Sequence, residues 1–201
     1  MRGLLKISYF ILFFLSGCNN LSKNKKDSLL VNDLGPEIIK NTGAALLGMP
    51  SIAYCYPGLT DKDARESLSE PLKRAGNAIF PDTHYIRIKY QSFVTFSDWF
   101  QKITSQLNNE EIGDGYDCDN YSFLYKSLLS VSSYKNQNLR EVLVGVIYVN
   151  QKHSFGGIPS GQFYHALNII CTESGWYVYE PQTGEFDKIE NYPNNILWFI
   201  F

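Results

Sequence analysis

The sequence lacks an excess of basic residues. Its 201 residues include 18 Lys and Arg against 20 Asp and Glu, which gives a net charge of −2 and a pI of about 5.9. Nucleic-acid-binding domains usually carry a clustered basic surface and a high pI, so we exclude nucleic acid as a partner. Aromatic residues are plentiful at 15%, and with 44% hydrophobic residues the chain can build a core.

A long hydrophobic run is also lacking. The apolar stretch of residues 7–15 is shorter than the roughly 20 residues that a membrane span needs. It follows Arg2 and Lys6, as in a signal peptide. Its end, "LSGC", resembles a bacterial lipobox, which implies lipidation of Cys18. We therefore predict a signal peptide over 1–17, a lipidated Cys18 with a polar tether over 18–40, and one domain over 41–201.

The same resemblance predicts a cellular location. Lipidation of Cys18 would anchor the chain to a membrane surface in the cell envelope. Asn19, which follows Cys18, favours the outer membrane in a Gram-negative cell by resemblance to the sorting rules of bacterial lipoproteins. The predicted localisation is that of an exported lipoprotein.

Few cysteines remain once Cys18 is set aside. Cys55, Cys118 and Cys171 are an odd number, so in an exported protein at least one is free or pairs with another chain. A Cys55–Cys171 disulfide stays open at this point. A free thiol in an oxidising compartment suggests a functional role.

The hydrophobic periodicity predicts helices first and strands afterwards. "TFSDWFQKITSQL" has apolar residues at helical spacing, with Thr95 and Asp98 as an approximate capping box. A second helix is predicted from Cys118 to residue 130. Strands are predicted in "HYIRIKY", "EVLVGVIYV", "QFYHALNIIC", "WYVYEP" and "ILWFIF". This order favours an α+β fold with a mostly antiparallel sheet. We assign Trp99 and Trp198 to the core and expect Trp176, beside a turn, to be exposed.

Three residues form a candidate nucleophilic site. Cys118 follows Asp117, a natural N-cap, and so lies at a helix N-terminus, where a thiolate is stabilised. If Thr172 pairs with Gly175 across a two-residue turn, His165 and Glu180 become diagonal neighbours on one face of a hairpin. Cys118, His165 and Glu180 then supply a nucleophile, a base and an orienting carboxylate. Each residue alone is also explained by packing or capping.

Several short stretches resemble a known family. "DCDNYSFLYKSL", "YHALNII", "GWYVYEPQTGEF" and "ILWFIF" look like the papain-like, transglutaminase-like cysteine protease domains, and are especially similar to the C-terminal domain of mushroom agglutinins. The resemblance covers roughly residues 80–201. It implies a helical N-terminal part, with a catalytic cysteine at a helix start packed on an antiparallel sheet. It also implies Cys118 as nucleophile, His165 as base and Glu180 as the third member.

The implied function is a membrane-anchored thiol hydrolase that cleaves peptide or amide bonds through an acyl-enzyme thioester. The alternatives are an NlpC/P60-like cell-wall peptidase or a transglutaminase and, in another class, a non-catalytic surface-binding lipoprotein on the same scaffold. Gln182 and Gln91 are candidates for substrate or oxyanion contacts. The partners implied are a protein or peptide substrate and a membrane. No cofactor or metal is predicted, although some relatives need calcium, for which Asp114, Asp117 and Asp119 are the available carboxylates.

Overall fold

A mixed β-sheet organises the part of the chain that the structure, a computed structural model, describes: residues 48–75, 78–107, 117–135, 141–161 and 163–201. Within these residues the sheet has nine strands. Their bounds are β1 Tyr54–Thr60, β2 Ala78–Ile79, β3 His84–Ile88, β4 Glu141–Val142, β5 Val144–Gln151, β6 Phe163–Thr172, β7 Gly175–Tyr179, β8 Phe186–Lys188 and β9 Asn195–Ile200. Residues Pro50–Phe201 form one compact unit.

Two short and two long helices accompany the sheet in the described residues. They are α1 Asp61–Glu66, α2 Glu70–Ala75, α3 Tyr90–Leu107 and α4 Cys118–Lys135, and a 3-10 turn spans Ile189–Asn191. Thr60 and Asp63 start α1 as a capping box, because each side chain accepts a hydrogen bond from the other's backbone N–H. None of the helices described is long and apolar enough to cross a membrane.

The main path of the sheet runs in the order β1-β3-β6-β5-β9-β2. Strand β4 pairs with β3, and β7 and β8 extend from β6. Most pairs are antiparallel, but β3 is parallel to both β4 and β6, and β2 is parallel to β9. Strands β6 and β5 lie at the centre, and most of their side chains are buried. The near-continuous apolar sequences of both strands are typical of a sheet that is covered on its two faces.

Alternate side chains of β7 show how both faces are covered. Trp176 and Val178 join the core cluster that includes Leu68 and Leu72, from the segment of α1 and α2. Tyr179 instead packs on the ring of Tyr125 in α4, with centroids 4.5 Å apart. Because successive residues of a strand point to opposite faces, α1 and α2 lie on one side of the sheet and α4 on the other.

A buried asparagine ties α4 to the sheet. The side-chain amide of Asn168 in β6 donates to the carbonyl of Ser122 at 2.9 Å and to that of Gly145 in β5 at 3.2 Å. Both Asn168 and Ser122 are fully buried. These bonds fix the first turn of α4, and therefore Cys118, over the middle of the sheet.

The predicted fold class is wrong. A helical N-terminal part on an antiparallel sheet was expected, but the first element described is β1, and the sheet is mixed. The cause is β3, which is parallel to β4 and to β6. Parallel strands need a long connection, and here the chain passes through α3 and α4 before it returns to the sheet. Strand β1 was not predicted, because Pro57 and Gly58 lie within it and both residues are unfavourable in the interior of a strand. The predicted signal peptide, Cys18 and tether lie outside the described residues.

The three remaining thiols are unbridged. Cys55 and Cys171 are buried and free, and Cys118 is free and partly exposed. In the strand register Cys55 lies opposite Arg87 of β3, and β3 in turn separates β1 from β6. The possible Cys55–Cys171 disulfide is therefore not formed.

Candidate functional site

Cys118 is the first residue of α4. The backbone N–H of Tyr121 donates to the carbonyl of Asp117 at 3.2 Å, which starts the helical hydrogen-bond ladder one residue before Cys118. The hydroxyl of Ser122 donates to the carbonyl of Cys118 at 2.9 Å. Cys118 is only partly buried, so its thiol lies at a helix N-terminus within reach of solvent.

His165 and Glu180 form a buried pair beside this thiol. His165 Nε2 lies 2.5 Å from Glu180 Oε2, and the two residues are 4% and 0% exposed. The other carboxylate oxygen, Oε1, accepts the backbone N–H of Gln182 at 2.9 Å. Both oxygens of Glu180 are thus satisfied, which a buried carboxylate requires.

The hairpin has the predicted register. Thr172 lies opposite Gly175, and the pairing continues to Asn168 opposite Tyr179. The chain then leaves the strand in a turn, where the Glu180 carbonyl accepts the N–H of Gly184 at 2.8 Å. The side chain of Glu180 reaches His165 from the first residue after β7.

The surroundings of His165 favour its charged form. Burial lowers the pKa of the imidazole, but hydrogen bonds to Cys118 and Glu180, and the charges of both groups, outweigh burial and raise the pKa to about 9. Because Glu180 occupies Nε2, Nδ1 is the ring nitrogen left for the thiol. Such a trio can pass a proton between sulfur and nitrogen, and can present a positive charge to a bound group.

A glycine turn covers Glu180, and its role was not predicted from the sequence. Residues Phe155 and Ile158 exchange backbone hydrogen bonds, and between them Gly156 and Gly157 have φ of 60° and 71°. A Cβ on Gly156 would lie 2.7 Å from Glu180 Cβ. The Gly-Gly pair was a detectable signal for a turn, but its position over Glu180 depends on the tertiary fold.

We expect Gly156→Ala to destabilise the protein by about 2–4 kcal/mol, because it adds a left-handed backbone strain to a clash with Glu180. Gly157→Ala is the matched control: it carries the same backbone strain, but its Cβ would meet nothing closer than 3.7 Å. Urea unfolding of both variants measures the difference. Equal losses for the two variants would show that the turn does not press on Glu180.

The remaining candidate residues lie in different places. Gln182 contributes its backbone N–H to Glu180 Oε1 and so lies beside the trio. Gln91, an exposed residue at the start of α3, bonds Thr95 at 3.5 Å and is not part of the trio. The structure brings Cys118, His165 and Glu180 together.

Two carboxyl groups flank Cys118. A side-chain hydrogen bond with Asp117, followed by burial, raises the pKa of Asp119. Asp114, the third carboxylate considered for calcium, lies outside the described residues. Within the residues that the structure describes, no group of three or more His, Cys, Asp or Glu side chains is placed to hold a metal ion.

No model of a known protein family matches the chain, and no curated protein matches it. The solved structures that are similar to it include the following two. One is "PSL1a-E64 complex", with a TM-score of 0.51, 14% identity and coverage of 72% of this chain and 50% of that one. The other is a Polyporus squamosus lectin bound to the human-type influenza-binding epitope Neu5Aca2-6Galb1-4GlcNAc, with a TM-score of 0.48, 12% identity and coverage of 72% and 49%. The chain spans about half the length of each of these two chains.

These comparisons correct the predicted family and activity. The two structures carry the names PSL1a and Polyporus squamosus lectin, and neither name is that of a papain-like protease. The expectation of a papain-like, transglutaminase-like thiol hydrolase is therefore wrong, and so are the protease assignments derived from it. At 14% identity the likeness shows the fold and leaves the ligand open.

Proposed function

We propose that this domain is a non-catalytic binding protein of the cell envelope, with Cys118, His165 and Glu180 at its binding site. The observation that carries the proposal is the buried His165–Glu180 pair beside a partly exposed thiol. Burying a charged pair seldom stabilises a fold, and strongly shifted pKa values cluster at functional sites. The trio is therefore better explained by a ligand than by stability.

The charge state of His165 supports binding. With a pKa of about 9, the imidazole carries a proton at neutral pH. It then acts as a hydrogen-bond donor and a positive charge, whereas a general base works best with a pKa near the operating pH. A ligand that places a hydroxyl or carbonyl oxygen over Cys118 would meet this positive charge.

The partner proposed is not a nucleic acid, since the net charge of −2 supplies no basic surface. A lipid on Cys18 would place the site outside the membrane that carries it, where envelope and extracellular molecules are the available ligands. Lectins among the similar structures make carbohydrate the first ligand class to test, and peptides the second.

The test separates binding from turnover. The full chain and Cys118→Ser are each incubated with panels of oligosaccharides and of peptides, and bound and released molecules are weighed by mass spectrometry. We expect at least one panel member to bind the wild type and to be recovered intact from both proteins. Product formed by the wild type and not by Cys118→Ser would overturn the proposal, as would the absence of any binding.

A further inference from the structure

The turn that follows β7 is attached to α3 through the side chain of Gln101. Gln101 Nε2 donates to the backbone carbonyl of Pro181 at 2.8 Å and to the hydroxyl of Tyr179 at 2.9 Å. Tyr179 ends β7 and Pro181 lies in the turn, so the two acceptors stand on either side of Glu180 in the chain. A primary amide has two N–H donors, which matches these two acceptors.

The turn also packs directly on the stem of Gln101. Gly184 has a φ of 86°, and its backbone N–H donates to the Glu180 carbonyl at 2.8 Å. A Cβ on Gly184 would lie 2.7 Å from Gln101 Cγ and 3.0 Å from Gln101 Cδ. A glycine is therefore needed here both for the backbone conformation and for the close approach of the glutamine.

This turn fixes the position of the Glu180 carboxylate. The backbone N–H of Glu180 donates to the Glu185 carbonyl at 2.8 Å, and Oε1 accepts the backbone N–H of Gln182 at 2.9 Å. Oε2 is the atom that lies 2.5 Å from His165 Nε2. Hydrogen bonds weaken steeply as distance and angle depart from the preferred values, so a displaced turn would weaken the bond between Glu180 and His165.

The packing of α3 does not depend on Gln101. Phe93, Phe96 and Phe100 of the same helix are fully buried. The ring of Phe100 meets that of Tyr125 in α4, with centroids 5.1 Å apart. Burial of apolar side chains is the main force that holds a helix on its neighbours, so the hydrogen bonds of Gln101 act chiefly on the turn.

We infer that Gln101 is a positioning residue of the binding site: its side-chain amide holds the turn after β7 and so places the Glu180 carboxylate against His165. The inference rests on the proposed function and deepens it, because it adds to the trio a residue from a different helix. Gln101 acts through Glu180, and the trio meets the ligand.

The test compares two glutamines of α3. Gln101→Met keeps the length and the apolar stem of the side chain but cannot donate to Pro181. Gln91→Met is the matched control, because Gln91 is an exposed residue of the same helix, and its side chain bonds Thr95 at 3.5 Å. A second variant, Gln101→Asn, keeps the amide and shortens the stem by one methylene group, so it tests the same contact with a polar side chain.

NMR titration of the full chain follows the imidazole of His165 in each variant. We expect Gln101→Met and Gln101→Asn to lower the pKa of His165 from about 9 towards its ordinary value of about 6.5, since the bond to Glu180 is one of the effects that raise it. We expect Gln91→Met to leave it unchanged. A general loss of stability would not move this pKa, because the titration reports on the folded protein.

Two results would overturn the inference: a His165 pKa equal to the wild-type value in both Gln101 variants, or an equal fall in Gln91→Met. The panels of oligosaccharides and peptides test the proposed function separately. If the Gln101 variants lower the pKa and no panel member binds the wild type, Gln101 positions Glu180 and the proposed function alone fails. If a panel member binds and the pKa stays unchanged, the inference fails and the proposed function stands.

Discussion

Glu180→Ala is expected to lower the free energy of unfolding by about 3–5 kcal/mol, the largest loss that we expect from a change at the site. The carboxylate is fully buried and accepts both His165 Nε2 and the backbone N–H of Gln182. Its removal leaves a charged imidazole buried without its partner, together with an unpaired backbone donor. Urea unfolding at pH 7 measures the loss.

Two further variants serve as controls for Glu180→Ala, one for the charge of the carboxylate and one for the loss of an exposed side chain. Glu180→Gln keeps the shape and one acceptor but loses the charge, so we expect an intermediate loss of about 1–3 kcal/mol. Glu185→Ala changes an exposed carboxylate in the same turn and should cost less than about 0.5 kcal/mol. A loss below about 1 kcal/mol for Glu180→Ala would contradict the buried ion pair.

The second large effect is a fall in stability with rising pH, caused by His165. Its pKa is about 9 in the folded protein and about 6.5 when unfolded, so folding takes up a proton between these values. The contribution to stability is complete below pH 6.5 and is lost as the pH rises to about 9. From the shift, it amounts to at most about 3 kcal/mol.

NMR titration of the imidazole tests the cause directly. His84 and His153 are exposed and serve as internal references in the same spectrum. We expect Cys118→Ala to lower the pKa of His165, because the hydrogen bond to Cys118 is the largest of the effects that raise it. A wild-type His165 that titrates near 6.5, or a value unaffected by Cys118→Ala, would contradict the coupled trio.

Local sequence signals were sufficient for the elements around the site. The turn at Thr172–Gly175 predicted the hairpin register, since its two-residue length fixes the pairing of β6 and β7. Asp117 and the apolar periodicity predicted a helix that begins at Cys118, and α4 does begin there. These features depend on residues that are close in sequence.

Long-range contacts explain why the predicted exposure of two tryptophans was wrong. Trp176 was expected at the surface because it adjoins a turn, but its indole N–H donates to the Ser67 carbonyl at 2.8 Å and it is buried. Trp198 was expected in the core, but strand alternation buries its neighbour Phe199 and leaves Trp198 partly exposed. Neither outcome follows from local sequence, because each depends on what covers one face of the sheet.

The family expectation failed for a related reason. Short motifs around Cys118, His165 and Glu180 describe how three residues meet, and they do not state what the completed site does. The order of the strands and the exposed stack of Tyr148 on Trp198 are set by long-range pairings between β5 and β9. Those pairings cannot be derived from residues 118, 165 and 180 alone.

The central claim is that Cys118, His165 and Glu180 form a binding site that does not turn its ligand over. The most direct measurement follows the imidazole signal of His165 in an NMR titration of the full chain with a panel member that binds. We expect the His165 signal to shift with the dissociation constant of that ligand, while the signals of the exposed His84 and His153 do not move. A His165 signal that stays unchanged across saturation would contradict the claim.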